Sequence, residues 1–145
     1  MYLHNKSIFH RDIKFSNIMF KRKDDWDSAC LVDFGLADYW NIIPDYIFYR
    51  CGTPGYVAPE ILKDQFYLLN VDIYSLGLCL YKLLTGNMAF TGSCEDEVIL
   101  KNYYGKIDFY KLNVSPNCLD LMKKILTLDY KKRISAENIL KHPIY

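Results

Sequence analysis

The chain has 145 residues, 51% of them apolar, and its 18 basic and 17 acidic side chains give a formal net charge of +1. That length supports one modest domain with a real core, and the apolar content excludes a disordered chain. A near-neutral balance argues against nucleic acid as the main ligand. The five cysteines (Cys30, Cys51, Cys79, Cys94, Cys118) are odd in number and lack metal-ligand spacing, so they read as free thiols in a reducing compartment. There is no charged-then-apolar leader and no apolar run of bilayer length, which gives the expectation of a soluble intracellular chain.

Met1 to Asn5 is too short to be a domain element in its own right, and Ser7-Ile8-Phe9 reads as a short strand. A polar turn follows, His10 to Asn17, and then a second short strand, Ile18-Met19-Phe20. The run Lys21-Arg22-Lys23-Asp24-Asp25 has the composition of a hairpin turn, and Ala29-Cys30-Leu31-Val32 is the next apolar strand. From Gly35 to Glu60 no period is visible, which predicts an extended segment. Ala58 to Lys63 predicts a short helix opened by proline, where the missing N–H costs nothing.

Asn70 to Thr85 is the most apolar stretch, with Val71, Ile73, Leu76, Leu78, Leu80, Leu83 and Leu84 covering almost every face. Such a helix belongs at a domain centre, and Gly86 is its natural stop. Three more helices are expected. Glu95 to Tyr103 carries acids in its first turn. Ser115-Pro116 opens the next, with Leu119, Met122, Ile125 and Leu126 at helical spacing. Ser135 caps the last, with Ala136, Ile139 and Leu140 inward. The predicted fold is mainly α with a small β-hairpin region.

The chemistry sits in His10-Arg11-Asp12-Ile13-Lys14-Phe15-Ser16-Asn17. Asp12 could accept a proton from an attacking hydroxyl, Lys14 could neutralise a phosphoryl group, and Asn17 could hold a metal ion. Sixteen residues later comes Asp33-Phe34-Gly35, where a short strand delivers a carboxylate into a glycine-containing turn. Further on, Gly52-Thr53-Pro54-Gly55-Tyr56-Val57 runs into Ala58-Pro59-Glu60. The H-R-D-x-x-x-x-N octet, Asp-Phe-Gly and Ala-Pro-Glu, in that order, make the chain resemble a eukaryotic protein kinase. The resemblance covers residues 1–145 and is to the C-terminal lobe: catalytic loop, activation segment and helical body.

The resemblance implies Mg²⁺-dependent transfer of the ATP γ-phosphate to protein hydroxyls. Asp12 would be the catalytic base and Lys14 would contact the transferring phosphoryl group. Asn17 and Asp33 would bind Mg²⁺, and Lys14, Ser16, Asn17, Met19 and Asp33 would line the nucleotide site. Met19 would be the floor of the adenine site, with core packing as the equal alternative. Thr53 would position substrate by contacting Asp12 and Lys14, and with Lys14 it implies serine/threonine specificity of a calcium/calmodulin-kinase flavour. His10, Arg11, Phe34, Glu60, Asp72 and Arg133 would be supports. Asp72 would accept backbone N–H groups of the catalytic loop, and Glu60 with Arg133 would form a buried pair worth about 3–5 kcal/mol if broken. Tyr2-Leu3-His4 would be the last turn of a long core helix.

Departures from the family pattern accompany these matches. No Gly-rich loop, strand lysine or partner glutamate occurs, so an N-terminal lobe is expected upstream. Between Gly35 and Gly52 there is no Ser or Thr, while Tyr39, Tyr46 and Tyr49 are present; ordering without phosphorylation is the favoured expectation. Phe15-Ser16 replaces the common Pro-Glu, and Lys82 stands where kinases of basic substrates often carry Glu. A cytoplasmic protein is implied, with the nucleus also open. The competing reading is an inactive kinase fragment or pseudokinase that acts by binding a protein partner.

Overall fold

In the computed structural model, residues 1–40, 51–65 and 67–144 are described. The chain opens with a single helical turn, α1 (Tyr2–Asn5), followed by β1 (Ile8–Phe9), β2 (Ile18–Phe20), β3 (Ala29–Leu31) and β4 (Asp38–Tyr39). The helical body is α2 (Pro59–Leu62), α3 (Val71–Thr85), α4 (Glu95–Tyr104), α5 (Pro116–Ile125) and α6 (Ala136–Leu140). The mainly helical fold with a small β region is the one expected. The Phe109–Lys111 3₁₀ turn, capped by Asp108, had no signal in the sequence.

The strands form two antiparallel pairs. β2 and β3 make the anticipated hairpin, with Ile18 opposite Leu31 and Phe20 opposite Ala29. β4 was not anticipated: it lies in the segment read as extended and pairs with β1, Phe9 against Asp38. Two residues are too few to show the alternation that marks a strand. Its consequence is to bring Asp38 back beside the His10–Asn17 turn.

α3 organises the body. Val71, Asp72, Ile73, Tyr74, Ser75, Gly77, Leu78, Cys79 and Tyr81 are buried, and Gly86 ends the helix in the left-handed conformation, where its N–H bonds the Lys82 carbonyl. A side chain at Gly77 would strike Ile125, and Leu126 would lie 2.8 Å from its Cβ, so glycine lets α5 approach. The apolar all-round reading holds only for the first part of α3, because Leu83 and Leu84 are 65% and 42% exposed. Leu140, expected inward, is also exposed, while Ile139 beside it packs on the core. Ser115 and Ser135 cap α5 and α6 by accepting the backbone N–H of Cys118 and Asn138.

Candidate active site

The His10–Asn17 turn is held from below by one carboxylate. Asp72, at the first turn of α3 and 2% exposed, accepts the backbone N–H of His10 at 2.8 Å and of Arg11 at 2.9 Å on its two oxygens. His4 adds a third contact to Asp72 at 3.1 Å. Arg11 lies in left-handed backbone space (φ 64°), a conformation that costs about 1–3 kcal/mol for a non-glycine residue. The bonds to Asp72 offset that cost. Gly52 meets the turn from above. A Cβ there would lie 2.8 Å from the Arg11 carbonyl, and its φ of 105° also calls for glycine.

This scaffold converges four side chains. Thr53 Oγ1 donates to Asp12 Oδ1 at 2.6 Å, and Lys14 Nζ donates to Thr53 Oγ1 at 2.7 Å while lying 2.8 Å from Asp12 Oδ2. Asn17 Nδ2 donates to the Asp12 backbone carbonyl at 2.9 Å and to Asp12 Oδ2 at 3.1 Å. Burial pushes the Asp12 carboxyl up, but the bonds from Lys14 and Thr53, the Lys14 charge and the Asn17 amide outweigh it and hold the group below the usual carboxylate range. Asp12 is therefore an ionised acceptor at neutral pH.

The second carboxylate arrives on β3. Val32 N–H donates to the Asn17 carbonyl at 3.0 Å, which sets Asp33 beside the Asn17 end of the turn. Asp33 is exposed, has φ 60°, and accepts the Gly35 N–H at 3.2 Å. His10 is fully buried. Its Nε2–H donates to the Val32 carbonyl at 2.9 Å, leaving Nδ1 to accept the Asp12 N–H at 3.4 Å, and its ring packs on Phe34 with centroids 4.9 Å apart. Ser16 is exposed on the 3₁₀ turn Phe15–Asn17. Met19, opposite Cys30 in the hairpin, is 52% exposed.

Glu60 and Arg133 lie apart from this cluster. They form a two-pronged pair at 2.5 and 3.0 Å, essentially without solvent access, that ties α2 to the loop between α5 and α6. Arg133 also donates to the carbonyls of Thr127 and Asn70 and stacks on Tyr74 at 4.7 Å.

Residues around Arg11 had escaped the sequence reading. Its guanidinium donates to the Leu36 carbonyl at 2.6 Å and reaches Asp38 at 3.2 Å. Burial works against that charge, but a hydrogen bond with Tyr67 and the charge of Asp38 help to carry its pKa upward. Asn102, fully buried on α4, donates to the Val57 carbonyl at 2.7 Å and steadies the segment that carries Thr53. Only the odd polar residue on an inward helix face could have flagged Asn102. Tyr46 and Tyr49 lie outside the described residues.

Comparison with known families bears directly on this arrangement: residues 1–145 match the protein kinase domain throughout. The chain belongs to the protein kinase family. It is 41% identical to mouse (Mus musculus) serine/threonine-protein kinase DCLK3 over 149 residues, covering 99% of this chain and 18% of that protein. It is 39% identical to calcium-dependent protein kinase 3 of Plasmodium yoelii yoelii, covering 98% of this chain and 27% of that protein. To calcium/calmodulin-dependent protein kinase type I of Schizosaccharomyces pombe it is 36% identical, covering 98% of this chain and 44% of that protein. The chain thus spans less than half the length of these relatives and is of serine/threonine kinase type by family.

Proposed function

We propose that the chain is the C-lobe portion, residues 1–145, of a serine/threonine protein kinase that transfers the γ-phosphate of ATP to hydroxyls of protein substrates. The observation that carries this reading is the closed cluster of Asp12, Lys14, Thr53 and Asn17, with Asp33 set beside it through the Val32–Asn17 bond. A surface turn of charged residues has no reason to bury an aspartate, an asparagine and a histidine together.

The donor set suits a magnesium–nucleotide complex. The Asn17 amide nitrogen is committed to Asp12, which leaves its carbonyl oxygen as the ligand atom, and Asp33 keeps a carboxylate oxygen beyond its bond to Gly35. Magnesium takes few protein oxygens alongside phosphate and water, so these two residues are a sufficient set. The bound ion would supply neutralisation of phosphate charge. Ser16 and Met19 would complete the lower face of the nucleotide site.

The rest is done by the chain's own side chains. Asp12 takes the substrate hydroxyl as a hydrogen-bond donor and accepts its proton. Lys14 holds a positive charge beside that oxygen, where negative charge spreads over the phosphoryl group. Thr53 locks Asp12 and Lys14 in register and marks the wall on which the substrate lies. His10, Arg11, Phe34 and Asp72 position the loop, and Glu60 with Arg133 anchors the segment carrying Thr53.

The nucleotide's upper face belongs, on this reading, to an N-lobe. Its seat is the apolar surface of Tyr2, Met19, Phe20 and Phe34, all exposed, with Tyr2 and the hairpin residues Ile18 and Leu31 also lining a cavity of about 350 Å³. No helix among the described residues is long and apolar enough to cross a membrane. The test is phosphotransfer from Mg²⁺·ATP to a serine-containing protein. Transfer is expected with the N-lobe in place and lost in Asp12→Asn and in Asp33→Ala. Partner binding without any transfer would favour the pseudokinase alternative.

A further inference from the structure

We infer that the cavity between α5 and α6 is a phosphate-binding site, which takes a phosphate monoester on Lys124, Lys132, Lys141, Ser135 and His142. It lies outside the catalytic cluster, and the inference does not rest on the kinase reading.

The cavity measures about 540 Å³ and is lined by Lys124 of α5, by Lys132, Arg133 and Ser135 of the connection to α6, and by Lys141 and His142 just past that helix. Among the described residues no acidic side chain lines it. Arg133 is committed to Glu60, which leaves three lysines around one space. Residues 120–142 hold six basic side chains against three acidic ones, although the whole chain nets only +1. Those acids, Asp120, Asp129 and Glu137, hold Lys124, Lys132 and Lys141 at 2.6, 3.5 and 2.5 Å. They are exposed pairs between residues three or four apart, worth roughly 0–1 kcal/mol each. A dianion can therefore compete for all three ammonium groups.

His142 separates this space from an ordinary charged surface. It is 6% exposed, and its Nε2 lies 2.8 Å from Asp120 Oδ2. Lys124 and His142 together hold the Asp120 carboxyl below the usual carboxylate range, so Asp120 is an ionised acceptor and Nε2 carries the proton. Nδ1 is buried and has no partner among the described residues. Such an orphan costs about 1–3 kcal/mol. Phosphate relieves it, because one proton shared between Nδ1 and a phosphate oxygen completes the ring's bonding. The imidazolium or the monohydrogen form of the anion brings that proton. Ser135 Oγ accepts the Asn138 N–H at 3.2 Å, which leaves its own proton to donate. A carboxylate has two oxygens for these donors; a phosphate monoester offers three, spread tetrahedrally.

The test is imidazole-nitrogen NMR of the 145-residue chain titrated with sodium phosphate, with sodium chloride holding the ionic strength fixed. A saturable shift of His142 Nδ1 is expected. Lys132→Met and Lys141→Met should each raise its midpoint by about three- to tenfold. Both side chains are mostly exposed, so thermal unfolding should stay unchanged. A histidine with a structural role alone would not respond to phosphate. An unmoved Nδ1, a shift that does not saturate, or a midpoint unaltered in both variants would overturn the inference. Glycerol phosphate and phosphatidylcholine vesicles containing phosphatidic acid then separate the sources. Vesicles bound no more tightly than glycerol phosphate point to a soluble monoester, and vesicles bound more tightly point to a lipid headgroup. Binding of neither overturns the site.

Discussion

The two halves of the candidate site are built differently. On the acceptor side, Asp12, Asn17 and His10 are buried, and each bonds to at least one other residue of the cluster or its scaffold. On the side assigned to the nucleotide, Asp33, Phe34 and Met19 are exposed, and among the described residues the Asp33 carboxylate accepts from the Gly35 N–H alone. On the proposed kinase reading, α3, α2 and the Thr53 segment set the geometry for the hydroxyl, while cover for the phosphates falls to an N-lobe.

The strongest way to break this comparison is to remove an anchor of the acceptor side. Arg133→Met strands the buried Glu60 carboxylate and should destabilise the fold by about 3–5 kcal/mol in urea unfolding. The double variant with Glu60→Leu should recover most of that loss. A cost below about 1 kcal/mol for the single change would mean the pair is not the anchor described. Asp72→Ala comes next. It frees two backbone N–H groups at about 1–3 kcal/mol each, and amide exchange at His10 and Arg11 should accelerate well beyond that of α5.

A gentler probe is the titration of Asp12. Its folded pKa lies below that of free aspartate, about 3.9, so its bonds to Lys14 and Thr53 contribute fully above that value. The contribution is lost as pH falls through the lower folded value. Carboxyl-carbon NMR should place the midpoint under about 3.9, and Lys14→Met should move it upward more than Thr53→Val. A midpoint above the free value would contradict the described environment. The smallest effect belongs to the nucleotide side. Met19→Ala, at an exposed hairpin position, should change stability by no more than about 0.5 kcal/mol yet weaken nucleotide binding once the N-lobe is present.

Much of the candidate site was legible from residue order, because the octet from His10 to Asn17, the Asp33 turn and the Thr53 motif are each contiguous. The limits of α3 were legible too, since apolar periodicity and Gly86 are local signals. What stayed hidden is contact between segments far apart in the chain. β4 was too short to show a period, and nothing near Arg11 announces Tyr67 or Asp38. The placement of Phe15 under Lys82 joins the catalytic turn to the far end of α3, which no local pattern encodes. Leu83, Leu84 and Leu140 misled for a related reason: composition says a residue can be buried, and only packing decides whether a neighbour is there to bury it.

On the kinase reading, Asn17 and Asp33 share one magnesium–nucleotide site with Asp12 at its edge. Side-chain NMR of the chain titrated with Mg²⁺·ADP tests it most directly. Shifts are expected at the Asn17 amide and the Asp33 carboxyl that require magnesium, with the Asn17 shift lost in Asp33→Ala. Saturable magnesium-dependent binding that leaves both residues unmoved would contradict it.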